Sequence, residues 1–512
     1  MTAKTDAPPL PDSYTTLAGI LREVATITSA QALLSWDQET MMPPRGAAFR
    51  ATQLATLSGL VHDRSTSPEL GEMISAAEAD PDVQADEALA ASVREMRRDY
   101  DRAVRLPGSL VREMTEAFAL GMEAWRSARE RNDFAAFLPH LEKTVDLNRR
   151  AAEAYGVPEG GELYDALLEG YEPGMTAAEV DRVFSGLRAD LAPLIHEIAE
   201  AATRPGDAFA DRRLSIPDQQ AFNRAVVERM GFDMEAGRLD VSTHPFCSGI
   251  APGDTRLTSR YREDGFLDAL SSTMHEGGHG MYEQGLPEQH FGAPLGEAAG
   301  LGIHESQSRM WENMVGRSRP FWEWALPQAK AAFPEQLGDV DLDAAFGAAN
   351  VVQPTLIRVE SDEATYNLHI MLRFDLERAM LKGDLAPADL PEAWNERIRS
   401  DLGIEVPDDR RGCLQDVHWS MGAIGYFPTY TLGNLYAAQL WAAAREELTD
   451  LDAGIAAGDF GPLLGWLREN IHQHGRRFPA PELCERVTQR PLSHDPLIGY
   501  LREKLTPLYG LG

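Results

Sequence analysis

The segment HEGGH at residues 275–279 has the residue types and the spacing of a catalytic metal site. On a helix, side chains four residues apart share one face, so His275 and His279 can both reach one divalent cation. Glu276 then lies beside them, where it can take a proton from a water that the metal activates. The HExxH pattern therefore predicts two metal ligands and a general base.

A third ligand is needed, because catalytic zinc sites commonly combine two histidines with one glutamate. Glu305 on the next predicted helix is the candidate. Its neighbours on that helix are apolar: Leu301, Ile303, Met310 and Trp311. A carboxylate on a buried apolar stripe is unfavourable unless it is paired or binds a metal. An ordinary, partly exposed helical glutamate is the alternative, and the presence of HExxH favours the ligand.

Both histidines must stand on a helix, and the flanking sequence predicts one. Residues 264–284 repeat apolar side chains such as Phe266, Leu270 and Met274 at helical spacing. Gly277 and Gly278 break this pattern, because glycine costs about 1 kcal/mol relative to alanine inside a helix. We expect them to allow another backbone to come close, with a simple packing accommodation as the alternative.

Helical spacing also extends over residues 13–204, with breaks at 42–44, 106–108 and 157–161. Thr176 followed by Glu179 has the signature of a capping box at the start of a further helix. Residues 239–246 and 255–261 are the best strand candidates. They flank the turn-rich segment SGIAPGD and predict an antiparallel pair.

The predicted fold class is therefore mainly α, a large helical body with a small antiparallel β-ribbon near its middle. Nothing in the composition separates two independent halves, so we expect a single domain over residues 1–512. It divides into an N-terminal helical part at 13–204 and a metal-site part at 219–512, with a stretch rich in Pro, Gly and charge between them.

Composition restricts the classes of partner. Lys and Arg total 48 against 80 for Asp and Glu, a net charge of −32, so the chain repels polyanions such as nucleic acid and anionic membrane surfaces. No apolar run reaches the ~20 residues of a membrane span.

The N-terminus MTAKTDAPPLPDSY has no apolar stretch for a secretory signal, so we expect a cytoplasmic protein. Cys247, Cys413 and Cys484 lie far apart, which predicts free thiols.

The sequence resembles the thermostable (Taq-type) metallocarboxypeptidases over nearly its whole length. The resemblance rests on motifs that occur in the same order and at consistent separations: 36–43 (WDQETMMP), 244–246 (HPF), 254–258 (DTRLT), 275–279 (HEGGH), 304–307 (HESQ), 357–362 (IRVESD) and 412–419 (GCLQDVHW). Several ordered motifs are far more specific than HExxH alone.

This resemblance implies a largely helical fold around a deep groove, usually assembled as a homodimer. It implies metal-dependent removal of single amino acids from peptide C-termini, with broad specificity. It assigns His275, His279 and Glu305 as metal ligands and Glu276 as general base. The metal is expected to be Zn²⁺, although Co²⁺ and Mn²⁺ also accept this ligand set.

A carboxypeptidase must distinguish a chain end from a chain middle, and an arginine can pair with the terminal carboxylate through its bidentate fork. Arg358 is similar to the family's candidate for this role. By spacing alone, an i,i+4 surface pair with Asp362 is favoured; the surrounding motif favours the carboxylate reader.

Further residues are candidates for contacts with the substrate. Gln415 and His418 are expected to close the blind end of the groove, and His244 to face the substrate backbone or the oxyanion. Tyr426 and Tyr430 are candidates to hydrogen-bond the tetrahedral oxyanion through a phenol. For all of them, packing or support of a neighbouring side chain is the alternative.

Two other functions remain open at this stage. One is an endopeptidase or oligopeptidase built on the same zinc helix. The other is a non-catalytic helical scaffold that binds metal. The intact set of His275, Glu276, His279 and Glu305 weighs against the scaffold, because a structural zinc site has no use for an adjacent base.

Overall fold

The computed structural model describes residues 10–511 of the chain. Residues 1–9, part of the N-terminal segment on which the prediction of a cytoplasmic protein rests, lie outside this range. Within it, helices dominate and a three-stranded sheet lies near the middle of the sequence, so the predicted fold class is confirmed. The single-domain assignment stays a prediction.

Ten helices precede the sheet in the described part of the chain: α1 (Asp12–Thr40), α2 (Ala47–Ser65), α3 (Pro68–Ala79), α4 (Pro81–Ala85), α5 (Glu87–Arg105), α6 (Gly108–Arg131), α7 (Phe134–Tyr155), α8 (Leu163–Leu168), α9 (Ala177–Glu200) and α10 (Ile216–Met230). The predicted breaks fall after α1, α5 and α7. The predicted capping box opens α9, where Thr176 Oγ1 accepts the N–H of Glu179 and the Glu179 carboxylate accepts the N–H of Thr176.

The sheet comprises β1 (Gly237–Val241), β2 (Cys247–Ala251) and β3 (Asp254–Ser259), in the order β1-β3-β2. The prediction of an antiparallel pair between 239–246 and 255–261 is wrong in its partners, because β1 runs parallel to β3. The antiparallel partner is β2, formed by the segment that was expected to be a turn. The tight turn at Pro252 and Gly253, where Gly253 has φ +80°, folds β2 back onto β3.

Twelve helices follow the sheet within the described range: α11 (Phe266–Glu283), α12 (Leu301–Arg309), α13 (Arg319–Ala332), α14 (Pro334–Leu337), α15 (Leu342–Ala349), α16 (Tyr366–Lys382), α17 (Leu390–Leu402), α18 (Pro428–Glu447), α19 (Leu451–Ala456), α20 (Gly461–Asn470), α21 (Ala480–Thr488) and α22 (Asp495–Leu508). A π-helical segment, Met310–Val315, continues α12. None of the described helices has the length and apolar character needed to cross a lipid bilayer.

Two groups of buried apolar side chains hold these elements together. The larger core runs from Ala128 in α6 to Tyr509 and packs around α11, α12 and α18. A smaller core joins α1, α3, α4 and α5, and the loop residues Ala293 and Leu295 close it. The three cysteines are free, as predicted.

Candidate active site

Helices α11 and α12 bring the predicted ligands together, and the glycines of HEGGH allow their close approach. A Cβ on Gly278 would lie 2.6 Å from the carbonyl oxygen of Gln307 and 2.7 Å from the Cα of Ser308, both in the backbone of α12. Any larger side chain would push α12 away from α11. The expectation that another backbone comes close at these glycines is confirmed at Gly278.

The three predicted ligands converge on one point. Ligand atoms of His275, His279 and Glu305 all lie within 4.8 Å of one another. Glu305 Oε2 is 3.6 Å from His275 Nε2 and 3.4 Å from His279 Nε2. Two ligands at about 2.0–2.1 Å from a tetrahedral metal are separated by roughly 3.3 Å. The donor set and its spacing therefore fit a divalent cation.

The outer nitrogen of His275 has a carboxylate partner that the sequence reasoning missed. His275 Nδ1 lies 2.8 Å from Glu312 Oε2. Glu312 belongs to the π-helical segment, and Arg309 Nη1 donates to it over 3.1 Å. A metal-binding histidine usually donates its second N–H to such an acceptor, which fixes the ring orientation. This leaves His275 Nε2 directed at Glu305.

The second histidine is held by a chain of partners. His279 Nδ1 lies 2.6 Å from His304 Nδ1, and His304 Nε2 lies 2.8 Å from Glu283 Oε1. If His279 binds a cation through Nε2, its Nδ1 carries the proton and donates a hydrogen bond to His304 Nδ1. His304 must then be protonated on Nε2, where it donates to Glu283. His304 belongs to the HESQ segment, but no role was predicted for it or for Glu283.

Electrostatics distinguish the carboxylate of Glu305 from that of Glu276. Burial opposes ionisation of Glu305, but the Arg309 guanidinium, with Nε 2.7 Å from Oε1, and the two histidines hold the pKa of Glu305 well below its usual range. Burial raises the pKa of Glu276 to about 7, with His275 opposing the shift and Glu305 adding to it. The arrangement thus provides one carboxylate fixed in the charged form and one suited to exchange a proton near neutral pH.

Arg358 is buried, and its partner is not the one that spacing suggested. Its Nη2 and Nε donate to Asp416 Oδ1 over 2.8 and 3.1 Å, and its Nη1 donates to the Tyr366 hydroxyl over 2.9 Å. Asp362 instead accepts N–H bonds from the backbone of Gln353 and Ala364. The i,i+4 surface pair with Asp362 is therefore wrong. Three of the five guanidinium N–H groups are accounted for in this way.

Aromatic side chains connect Arg358 with the ligand cluster. The Arg309 guanidinium lies 4.6 Å from the ring centre of Tyr366, and that of Arg358 lies 5.2 Å from the ring centre of Tyr430. Tyr430 stands on α18, where Gly433 lets α18 pack directly against the side chain of Glu305. Arg358, Tyr430 and the predicted ligands therefore border one site.

Among the remaining predicted residues, His418 lies beside the aromatic side chains of the site, whereas Gln415 bonds to the backbone. His418 Nε2 lies 3.5 Å from the Tyr430 hydroxyl, and the His418 and Tyr426 ring centres are 5.5 Å apart. The side-chain amide of Gln415 bonds to backbone, accepting the N–H of Arg358 over 2.9 Å and donating to the carbonyl of Leu356 over 3.0 Å.

Gln415 thus holds the segment that carries Arg358. His244 is exposed on the connection between β1 and β2. In the described part of the chain, its imidazole takes no part in the hydrogen bonds that join Arg358, Gln415, His418 and Tyr430.

Comparison with known proteins agrees with this architecture. The family model described as "Carboxypeptidase Taq (M32) metallopeptidase" matches residues 16–505. The chain is 46% identical to thermostable carboxypeptidase 1 of Thermus thermophilus over 506 residues, which cover 97% of this chain and 99% of that protein.

Solved structures give the same result. The crystal structure of the M32 carboxypeptidase from Deinococcus radiodurans R1 superposes with a TM-score of 0.94 at 42% identity, covering 98% of this chain and 100% of the other. Trypanosoma cruzi metallocarboxypeptidase 1 has a TM-score of 0.90 at 35% identity, with coverages of 96% and 99%.

Proposed function

We propose a mechanism for this chain from one premise: it belongs to the carboxypeptidase Taq (M32) metallopeptidase family and is a metal-dependent carboxypeptidase, a peptide hydrolase. The proposal is that it releases single amino acids from peptide C-termini with broad specificity. The observation that carries it is the convergence of the ligand atoms of His275, His279 and Glu305 within 4.8 Å. Glu276 directly follows His275 on the same helix.

His275, His279 and Glu305 would hold the cation, which we propose to be Zn²⁺; Co²⁺ and Mn²⁺ suit the same nitrogen and oxygen donors. When bound, such a cation polarises the scissile carbonyl and lowers the pKa of a water toward about 7. Glu312 and the pair His304–Glu283 keep the two imidazoles oriented, so that both Nε2 atoms face the Glu305 carboxylate, where the cation would be held.

Glu276 acts as the general base. Its carboxylate accepts a proton from the attacking water and passes it to the leaving amine as the peptide bond breaks. Tyr430 and Tyr426 are the proposed donors to the developing oxyanion, since Tyr430 stands on the helix that packs against Glu305. His418 and His244 are the remaining candidates for substrate contacts.

Arg358 reads the terminal carboxylate of the substrate. Asp416 and Tyr366 orient its guanidinium, and three of its five N–H groups are accounted for by these partners, so donors remain for a bidentate carboxylate contact. Gln415 supports this residue through the backbone. A fixed cation that pairs with the terminal carboxylate restricts productive binding to peptides with a free C-terminus.

The proposed function also concerns the partners, the oligomeric state and the location of the protein. The substrates are peptides, and the net charge of −32 makes nucleic acid an unfavourable partner. We propose a homodimer in the cytoplasm. Analytical ultracentrifugation of the purified protein tests the dimer, and a monomer at micromolar concentration would contradict it.

The function is tested by mass spectrometry of a defined peptide mixture after incubation with metal-loaded enzyme, with and without a chelator. The expected result is a ladder of one-residue losses from the carboxyl end that the chelator abolishes. C-terminally amidated copies of the same peptides should resist. Internal cuts in the amidated copies would indicate an endopeptidase or oligopeptidase instead.

A further inference from the structure

Asp416, the partner of Arg358, is shared with a second arginine, Arg373 on α16. Arg373 Nε donates to Asp416 Oδ2 over 2.7 Å, and its Nη2 donates to the same oxygen. Arg358 donates from Nε and Nη2 to the other oxygen, Oδ1. Each carboxylate oxygen of Asp416 thus accepts two N–H groups. One anion lies between two guanidinium groups.

Arg373 is more deeply buried than Arg358. Its side chain is fully buried, whereas the side chains of Arg358 and Asp416 are 7% and 11% exposed. Its Nη1 donates to the backbone carbonyl of His369 over 2.6 Å, and its guanidinium lies 4.5 Å from the ring centre of Trp394. Arg373 therefore has no exposed surface through which it could contact a peptide.

The two arginines and the aspartate together carry one positive charge. Arginine stays protonated in proteins. Burial opposes ionisation of Asp416, but Arg373 and Arg358 hold the pKa of this carboxyl well below its usual range. The neighbouring imidazoles of His369 and His418 are neutral near pH 7, because burial lowers their pKa values to about 3 and about 4. Two cations and one anion leave a net charge of one.

The other carboxylates of this part of α16 have partners of their own. Glu377, one turn after Arg373, accepts the indole N–H of Trp419 over 2.7 Å and the hydroxyl of Tyr164 over 2.8 Å. Burial raises the pKa of Glu377 to about 7, so it carries little charge below neutral pH. Asp375 accepts from Arg188 over 2.8 Å. Asp416 is therefore the carboxylate that balances Arg373.

The net charge matters because a single arginine–aspartate pair is neutral. If Arg358 were the sole partner of Asp416, the aspartate would cancel the attraction of Arg358 for a substrate carboxylate. With Arg373 present, the group is positive before a carboxylate binds and neutral afterwards. A buried charge is unfavourable unless it is paired. The terminal carboxylate of a peptide supplies the missing anion.

We propose that Arg373 is a positioning residue that neutralises Asp416, so that Asp416 orients Arg358 without cancelling the charge with which Arg358 binds the terminal carboxylate. The proposal rests on the carboxypeptidase function and on the role of Arg358 proposed above. Arg373 acts through Asp416 and Arg358 and does not touch the substrate. It therefore sets the affinity for a free C-terminus and leaves the hydrolytic step at Glu276 unchanged.

The size of the effect follows from Coulomb's law. Arg373 and Arg358 contact opposite oxygens of one carboxylate, and the substrate carboxylate binds beyond Arg358. The charge of Arg373 then lies roughly 10 Å from that of the substrate. At an effective dielectric constant of about 20, one unit charge at this distance changes an affinity by about tenfold.

Four variants separate charge from shape. Arg373→Met removes the charge and keeps an unbranched side chain, and Arg373→Lys keeps the charge. Arg378→Met is the matched control, because Arg378 lies on the same helix and donates to Glu162 over 2.7 Å, outside the site. The double variant Arg373→Met/Asp416→Asn removes one positive and one negative charge. It restores the net charge of the wild type and keeps an oxygen acceptor for Arg358. Circular dichroism verifies that each variant is folded.

The measurements are kcat and KM of the metal-loaded enzyme for a blocked dipeptide, with the inhibition constants of a blocked amino acid and of its amide. For Arg373→Met we expect KM and the inhibition constant of the carboxylate to rise about tenfold. The value of kcat and the inhibition constant of the amide should stay nearly unchanged. Arg373→Lys and Arg378→Met should resemble the wild type, and the double variant should recover most of the lost affinity.

An Arg373→Met enzyme that binds the carboxylate as tightly as the wild type does would overturn the inference. A loss that the double variant fails to recover would also overturn it, because a merely structural role depends on the shape of Arg373 and not on the net charge. Failure of the role proposed for Arg358 gives a different result. In that case Arg358→Ala would keep the wild-type preference for the carboxylate over the amide.

Discussion

Glu172 links the pH dependence of folding to α12, the helix that carries the proposed third ligand. It is fully buried, and its Oε2 accepts the N–H of Gly302 over 2.8 Å, in the first turn of α12. Burial raises the pKa of Glu172 from 4.5 to about 7, although the bond from Gly302 opposes the shift. The unfolded chain exposes this carboxyl to water and restores its ordinary pKa.

The sign of the effect follows from proton binding. Between pH 4.5 and 7 the folded protein keeps a proton on Glu172 that the unfolded chain has lost, so stability falls as the pH rises through this window. The rise in the pKa of Glu172 from 4.5 to about 7 corresponds to about 3 kcal/mol of stability, lost in full well above pH 7. About 2 kcal/mol of it develops between roughly pH 5.5 and 8.

Glu172→Gln removes the titration while preserving the size of the side chain and an acceptor for Gly302. The free energy of unfolding, from urea denaturation of both proteins, is compared at about pH 5.5 and 8. The variant should gain about 2 kcal/mol relative to the wild type over this interval. Taking the difference between proteins cancels pH effects that they share, including those of metal binding.

Glu116→Gln on the exposed face of α6 is the control, because it removes one acidic charge from a chain of net charge −32 without touching the core. A stability difference between Glu172→Gln and wild type that is the same at both pH values would refute the reasoning. It would mean that Glu172 is ionised in the folded protein across the whole range.

Four other outcomes follow from the site. Glu276→Gln should keep its metal, measured by atomic absorption, and lose about 10²–10⁴ in kcat; full activity would contradict the assignment of the base. His279→Ala should lose the metal itself, and stoichiometric metal in this variant would exclude it as a ligand. Glu312→Gln should weaken metal affinity by about 10–100-fold in a chelator competition, while the exposed control Glu323→Gln stays at the wild-type value. Arg358→Ala should lose selectivity for peptides with free over amidated C-termini. Unchanged selectivity would contradict the proposal that Arg358 binds the terminal carboxylate.

Local patterns in the sequence determined much of this protein. The spacing of HExxH placed both histidines on one helical face, and the apolar surroundings of Glu305 pointed to a buried carboxylate. The capping box at Thr176 and the breaks between the early helices were also predictable. Each of these features depends on residues within one or two helical turns, so neighbours in sequence suffice to specify it.

Strand pairing in the sheet could not be predicted from local sequence patterns. The strands β1 and β3 were found approximately, but their parallel pairing depends on β2 occupying the other edge of β3. Strand propensity states which residues favour an extended backbone, and it does not state which extended segments pair. The turn at Gly253 decided the pairing.

Only the tertiary structure decided how the site is supported. Glu312 meets His275 across 37 residues, and Asp416 meets Arg358 across 58. Such partners depend on how segments far apart in the chain pack together, because a buried charge is stable only beside a counter-charge that the fold brings within reach. Types and spacing of residues thus predicted the proposed ligands and base, and long-range packing determined which side chains orient them.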